Sequence, residues 1–469
     1  MGAFSPSRSS ILRSPGHVLI PMRHADGATL VILFVILQLI IPARLVISRL
    51  PLSLSPASVI ALLIGLCWLC TQFTNTLGAA KGRNVVRTML FLYICSVLAT
   101  YGVATYGYLP PDEVNFADHA LVLAVASVGL ALGICDGVRG HDRLDLVLKT
   151  VAAIGGVVAV IGILQFLFGL DLTEYLRLPG LRSTAEDGFI FERAALRRVA
   201  ATTAHPIEFG VVCAMLLPLA VHFATKARAR AQPSRRWWLC SGLIATGLMF
   251  SISRSAIVCA AGVGVVLLLG WSAQRRMRAL LAALGFLALI KVVAPGLLGA
   301  IYGLFANMGT DDSVQGRTND YGNVFKEIAK HLWLGRGLGT WSATKYQVFD
   351  NQYLLSLVEV GVLGMVAFVG IFLAGLYAAL RARFMSSDPC DRDLALTLAA
   401  MLVVPLLACA TFDFASFKTA SSLGFLVAGA SGSLLRTTKS WPAVSDLAID
   451  DRSINVIPKA NVAASTSKP

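Results

Sequence analysis

Charge is what this sequence has least of. Only 14% of its 469 residues are charged, against roughly 25% in an average soluble domain. Hydrophobic residues make up 56%, and the mean hydropathy is +0.72. A water-soluble globule cannot hide so much apolar surface, so the solvent for most of this chain is lipid. No Walker sequence occurs, which leaves no visible ATP-driven role, and no His/Cys cluster has structural-zinc spacing. No metal or other cofactor is implied. The nine cysteines suggest no disulfide framework, because most sit inside apolar runs (Cys67, Cys70, Cys95, Cys213, Cys259, Cys409). Cys67 and Cys70 form a C-x-x-C, but two small apolar residues on one membrane helix is the simpler reading. A cleavable signal peptide is not expected either. Residues 1–28 are polar and basic, and the first apolar run is too long and lacks a small-residue cleavage site. No internal repeat is evident.

What is present is a series of apolar runs, at about 29–47, 56–74, 86–106, 119–136, 146–168, 201–224, 237–252, 255–272, 279–294, 351–380, 394–411 and 419–435. A membrane-crossing helix needs about 20 apolar residues, or about 17 at the short end. The two runs flanking Arg254 are near that limit, and one long span is the alternative. Basic loops decide between them. Lys226, Arg228, Arg230, Arg235 and Arg236 precede the pair, and Arg275, Arg276 and Arg278 follow it. The positive-inside rule puts both groups in the cytoplasm, which requires a hairpin with Arg254 at its outer tip. The consistent solution is an all-α polytopic protein of the bacterial inner membrane with about twelve transmembrane helices and both termini cytoplasmic. Residues 29–435 form the membrane domain, 295–350 a large periplasmic loop between helices nine and ten, and 436–469 a disordered cytoplasmic tail.

The net charge of +14 could suggest a nucleic-acid partner. Its location argues against one. The excess lies in the short cytoplasmic loops, whereas outer segments 169–200 and 295–350 each hold five basic and five acidic residues. Within the large loop, Val324, Phe325, Ile328, Ala329 and Leu332 recur at helical spacing and predict an amphipathic helix at the outer interface. Gly335, Gly337 and Gly339 predict a turn or a close backbone approach. They do not follow a strand, so they make a weak nucleotide-binding signal.

Charged and polar residues collect at the outer face: Arg197, Arg198, His205 and Glu208; Arg254; and Arg317, His331, Arg336 and Asp350. Each arginine could simply snorkel to water. Several together suit a phosphate or diphosphate whose tail stays in lipid, because guanidinium forks match phosphate oxygens and stay charged. They also stabilise charge on a departing diphosphate. One base must then take a proton from an attacking hydroxyl, and Asp350, His205, Glu208 and His331 are available. Asp391-Arg392-Asp393 has the D-x-D form of many sugar transferases but reads as a solvated cytoplasmic loop. Gln38 and Gln165 are lone polar residues within spans, suited to helix–helix hydrogen bonds.

The segment Arg198-Val-Ala-Ala-Thr-Thr-Ala-His205-Pro206-Ile-Glu-Phe-Gly210 resembles one signature of the O-antigen ligase and Wzy-type polymerase superfamily. Ser253-Arg254-Ser255 resembles a second. Gly316-Arg317, the Gly335–Gly339 turn, Asp350-Asn351-x-Tyr-Leu and Glu359-x-Gly361-x-x-Gly364 resemble a third, in the family's order. The likeness covers about residues 150–380. It implies a GT-C-like, metal-independent, inverting glycosyltransferase. Such an enzyme takes a glycan from an undecaprenyl-diphosphate carrier and joins it to another lipid-linked glycan (polymerase, in O-antigen or exopolysaccharide synthesis) or to lipid A core (ligase). A chain-length regulator would be an accessory partner. On this chain Arg198, Arg254 and Arg317 would bind the diphosphate. Asp350 and His205 would be catalytic, and Glu208, His331, Arg336, Asn351 and Glu359 would support them. Ligases have His-Asn where this chain has Asp350-Asn351, and the Asp form is more similar to polymerases. Asp350 could alternatively cap the helix that follows. From another class, a transporter or flippase for lipid-linked sugars remains a competitor, although charges gathered at one face favour a surface reaction.

Overall fold

Pro42 stops the first helix well before the first apolar run ends, since proline cannot extend the hydrogen-bond ladder. In the computed structural model, which describes residues 26–440 apart from 51, 75–81, 108, 177, 185–190, 194–195, 307–320, 343–344 and 347–348, helix α1 is Gly27–Ile40 and the chain then turns into strand β1, Leu45–Ile47. Helices α2 (Pro56–Phe73), α3 (Val85–Tyr106), α4 (Pro111–Gly137) and α5 (His141–Phe168) follow. Three short strands come next, β2 (Leu181–Ser183), β3 (Phe191–Arg193) and β4 (Leu196–Arg198). Then come α6 (Pro206–Ala229), α7 (Arg235–Phe250), α8 (Arg254–Gly270), α9 (Ala273–Val293) and α10 (Leu297–Ala306). The remaining described helices are α11 (Tyr321–Lys330), α12 (Gln352–Met385), α13 (Pro389–Cys409) and α14 (Lys418–Ser440), with a 3-10 turn at Phe414–Ser416.

Each of the twelve apolar runs falls on a helix. Among the described residues seven helices are long and apolar enough to cross a membrane, and α9 with α10, bent by 110°, counts as an eighth only if the pair is one broken span. The others fall short of that test; α1 and α8 have 14 and 17 residues. The expected amphipathic helix is α11. Its Val324 and Ile328 pack on Phe349 and Val358, while Phe325 stays exposed. Two antiparallel ladders, β1 with β2 and β3 with β4, qualify the all-α expectation. They give the backbone of the 169–200 segment partners that no helix supplies. The last helix also outruns the expected boundary at 435: Arg436 is part of α14 and donates to the Val138 carbonyl. Residues 1–25 and 441–469, expected to be tails, lie outside the described residues.

Starts are set locally. Asp26, Ser55, Asn84, Ser253, Asn351 and Asp388 each cap a helix through a side-chain oxygen, satisfying N–H groups that the first turn leaves orphaned. Packing relies on small residues. A Cβ on Gly129 would come within 2.8 Å of Gly65 Cα, and one on Gly429 within 2.6 Å of the Ala131 carbonyl, so α2 and α14 approach α4 at backbone distance, as membrane helices do.

Ion pairs gather at one end of the bundle: Arg143–Asp26, Lys149 and Lys226–Asp145, Arg275 and His222–Asp393, His141–Asp391, and Arg87 and Arg436–Asp136. The Asp391 and Asp393 pair is therefore ion-paired rather than a solvated loop. These contacts join the starts of α1, α3, α5, α9 and α13 to the ends of α4, α6 and α14. That up-and-down arrangement is the one the Arg254 hairpin requires. All nine cysteines are free, and Cys67, Cys70 and Cys95 are exposed on the apolar flank.

Candidate active site

At the opposite end, two strained turns meet. The first follows β4. Arg198 pairs in register with Phe191, Val199 is buried, and Ala201 adopts φ +51°. A non-glycine residue in this region is uncommon and costs energy. Gln165, expected to bond another helix, instead grips this turn. Its Oε1 accepts the Ala201 N–H at 2.8 Å, and its Nε2 donates to Asp171 at 2.8 Å. Gln38 does join two helices, donating to Thr419 at 3.2 Å. Thr202 donates to the Leu39 carbonyl at 2.6 Å and pins the turn to α1. The second turn precedes α8. Ile252 has φ +43° and is buried, and Ser253 then caps the helix that Arg254 begins.

The two turns touch. Arg198 Nε donates to the Ser251 carbonyl at 3.3 Å. Gly210 makes this approach possible, since a Cβ there would lie 2.4 Å from Ser251 Oγ and 2.5 Å from Ala256 Cβ. Arg198, His205 and Arg254, far apart in sequence, thus share one end of α6 and α8. Arg197 lies over Gly169 and is exposed.

His205 caps α6 by accepting the Ile207 N–H at Nδ1, 3.1 Å away. Burial pushes its pKa down to about 4; Arg198 acts in the same direction and Asp350 opposes it. Both charged groups are therefore within electrostatic reach of the ring. At neutral pH the imidazole is uncharged. Its Nδ1 lone pair is occupied, so the proton sits on Nε2, and in this arrangement His205 is a hydrogen-bond donor.

Glu208, one of the candidate bases, has another task. Fully buried, it accepts from Ala204 at 2.8 Å and from Thr419 and Ala420 N–H at 2.7 and 3.1 Å. It clamps the start of α14. Arg336 is likewise engaged. It donates to Glu113 at 2.8 Å and to the Tyr346 hydroxyl at 2.6 Å, and Tyr346 donates in turn to Glu113. Arg336 thus moors the large loop to α4. His331 is exposed just after α11. Arg317 lies outside the described residues.

The glycine run docks into a broken helix. Helix α12 is interrupted at Gly361 (φ 64°, ψ −170°). At this break Arg336 and Gly337 N–H donate to the carbonyls of Val358 and Glu359, both at 2.9 Å, while Val362 N–H donates to Leu332. Gly335 takes φ +68°, and a Cβ there would be 2.3 Å from the Glu359 carbonyl. The predicted close approach is therefore between two parts of the same chain. Asn351 caps α12 by accepting from Tyr353 and Leu354, which leaves Asp350 outside the capping role considered for it.

Beside this cluster lies a cavity of about 410 Å³ between α1, α2, α3, α4, α12 and α14. Its polar lining includes His119, Trp341, Glu359, Asp413 and Lys418. Glu359 also accepts weakly from Trp341 N–H at 3.4 Å. Burial raises the Asp413 pKa to about 6, and Asp350 adds to the shift. Asp413 is tied to the Asp350 segment by backbone: Gln352 N–H donates to Phe412 O at 3.2 Å, and Ala415 N–H to Gln352 Oε1 at 2.8 Å. Asp413 and Lys418 were missed in the sequence because they sit in a short turn between apolar runs with no motif around them. The one available signal was that this turn falls on the same side as Arg254.

Residues 239–369 match the family model described as O-antigen ligase. This stretch is similar to the O-antigen ligase family. No curated protein matches the chain. The matched segment contains Arg254, the glycine turn, Asp350-Asn351 and Glu359-x-Gly361, whereas Arg198, His205, Glu208 and Asp413 lie outside it.

Proposed function

We propose that this protein is an inverting, periplasm-facing glycan polymerase that transfers an oligosaccharide from polyprenyl diphosphate to the hydroxyl of an acceptor glycan. The reading rests on Arg198, His205 and Arg254 sharing one end of α6 and α8, with Asp350 in electrostatic reach of His205 and a nearby cavity that holds His119, Glu359, Asp413 and Lys418. Arg198 and Arg254, joined by Arg317, hold the diphosphate. The acceptor hydroxyl attacks the anomeric carbon from the opposite face, and the bond from that carbon to the diphosphate oxygen breaks. Asp350 takes the hydroxyl proton, polyprenyl diphosphate departs, and the arginines stabilise its growing charge. His205 donates through Nε2 to a diphosphate oxygen. The cavity beside Asp413 receives the acceptor sugar.

The family description favours a second reading, transfer to lipid A core. Reconstitution with a purified lipid-linked oligosaccharide separates the two. A ladder of lengthened lipid-linked chains supports polymerase, and product only with lipid A core supports ligase. A lipid-linked-sugar flippase would release no polyprenyl diphosphate with either acceptor. Arg254→Ala and Arg317→Ala are each expected to lose turnover about a hundredfold or more; full turnover in both overturns the diphosphate clamp.

A further inference from the structure

The groove between α5 and α7, at the end of the bundle remote from the candidate active site, has a volume of about 500 Å³. Lys149 and Arg236 stand at its mouth, and Gly156, Val160, Trp237 and Leu243 line its length. On α5 the residues facing it are small or apolar and exposed, with Ala153, Val157 and Val160 on one helical face. The floor is closed: a Cβ on Gly156 would lie 2.7 Å from Cys240 Sγ, and Cys240 donates to the Ala152 carbonyl. From Lys149 to Val160 is eleven residues, roughly 16 Å of helix. That is about half of a ~30 Å hydrocarbon core, the depth of one leaflet.

Charge at the mouth is unbalanced. Lys149 pairs with Asp145 at 2.8 Å, but Asp145 also holds Lys226 at 2.6 Å. Arg236 lies over the Trp237 ring at 5.6 Å and makes no ion pair among the described residues. Two lysines therefore share one carboxylate and Arg236 adds an unpaired charge among the described residues, above an apolar slot as deep as an acyl chain.

We infer that this groove binds an anionic phospholipid of the leaflet at the basic end of the bundle, with Arg236 and Lys149 on its phosphate and one acyl chain lying along Ala153–Val160. The guanidinium fork suits a phosphodiester, and clustered cations at a membrane surface favour anionic headgroups.

The test is thermal melting of the purified full chain in detergent, titrated with phosphatidylglycerol or with phosphatidylcholine of the same acyl chains. A ligand that binds only the folded state raises the melting temperature. Phosphatidylglycerol is expected to raise it and phosphatidylcholine to do so much less. Lys149→Gln with Arg236→Gln should raise the half-effective phosphatidylglycerol concentration roughly tenfold or more. Ala153→Phe, which keeps the cations and fills the slot, should abolish the response. Arg230→Gln, another basic residue at this end, should leave it intact. Arg236→Gln alone changes only an exposed side chain and serves if the double variant does not fold. Equal responses to both lipids, or an unchanged response in either the charge or the filling variants, overturns the inference.

Discussion

His205 accepts a backbone N–H at Nδ1 and stays neutral well below pH 7, so the proposed mechanism assigns the base to Asp350. Asp350→Asn should lower turnover about 10²-fold or more with an unchanged melting temperature, because the capping oxygen belongs to Asn351. Asn351→Ala should instead cost about 1 kcal/mol of stability. The depressed His205 pKa also predicts a pH effect. As pH falls from 6.5 toward about 4, the unfolded chain takes up a proton that the folded protein resists, so stability is lost through that window. His205→Asn keeps a cap and removes the titration. Its melting temperature should fall less than the wild type's between pH 7 and pH 4.5; parallel curves would sink the assignment. At this scale the sequence pointed to the residue types but not to their tasks. Glu208 and Arg336 looked like candidates for chemistry because they are charged near the outer face. Only contacts with Thr419, Ala420 and Glu113, up to 223 positions away, reveal them as fasteners.

At the scale of elements, the docking of the Gly335–Gly339 turn into the break of α12 is the decisive contact. Gly335 and Gly361 face each other's backbones with positive φ, so a methyl group at either position meets immovable atoms. Gly335→Ala and Gly361→Ala should each destabilise by about 2 kcal/mol or more and speed proteolysis within residues 331–350. A similar substitution at Gly285, where a Cβ meets nothing, should be silent. Apolar runs and glycines were legible in the sequence because each obeys a local rule, whereas the one cap considered, Asp350, proved to be its neighbour Asn351. The break at Gly361 was not, since hydropathy runs on unchanged across it. The short strand at Leu45–Ile47 was absorbed into a span for the same reason.

At the scale of the molecule, the up-and-down bundle was readable from the positions of its arginines and lysines, and the ion pairs at one end agree with it. The cavity was not readable, because residues from six helices spread along the chain enclose it. Cysteines placed at Ser342 and at Asp388 in an otherwise cysteine-free chain should label from opposite sides of the membrane, with Ser342 outside. Labelling from the same side would overturn the arrangement. Glu208→Ala strips the acceptor from the buried N–H groups of Thr419 and Ala420, each worth about 1–3 kcal/mol, and should prevent accumulation of monodisperse protein. Glu208→Gln, which keeps one carbonyl oxygen, should recover part of the yield.

The Glu208 clamp also has a consequence in time. Its partners Thr419 and Ala420 are made 211 and 212 residues later, roughly 10–40 s at ordinary rates of synthesis. Until then the nascent chain carries Arg198, His205 and Arg254 without Asp413 or the α14 wall of the cavity. A ribosome that stalls before the last span therefore leaves in the membrane a bundle whose Glu208 has no clamp partner and whose cavity lacks one wall.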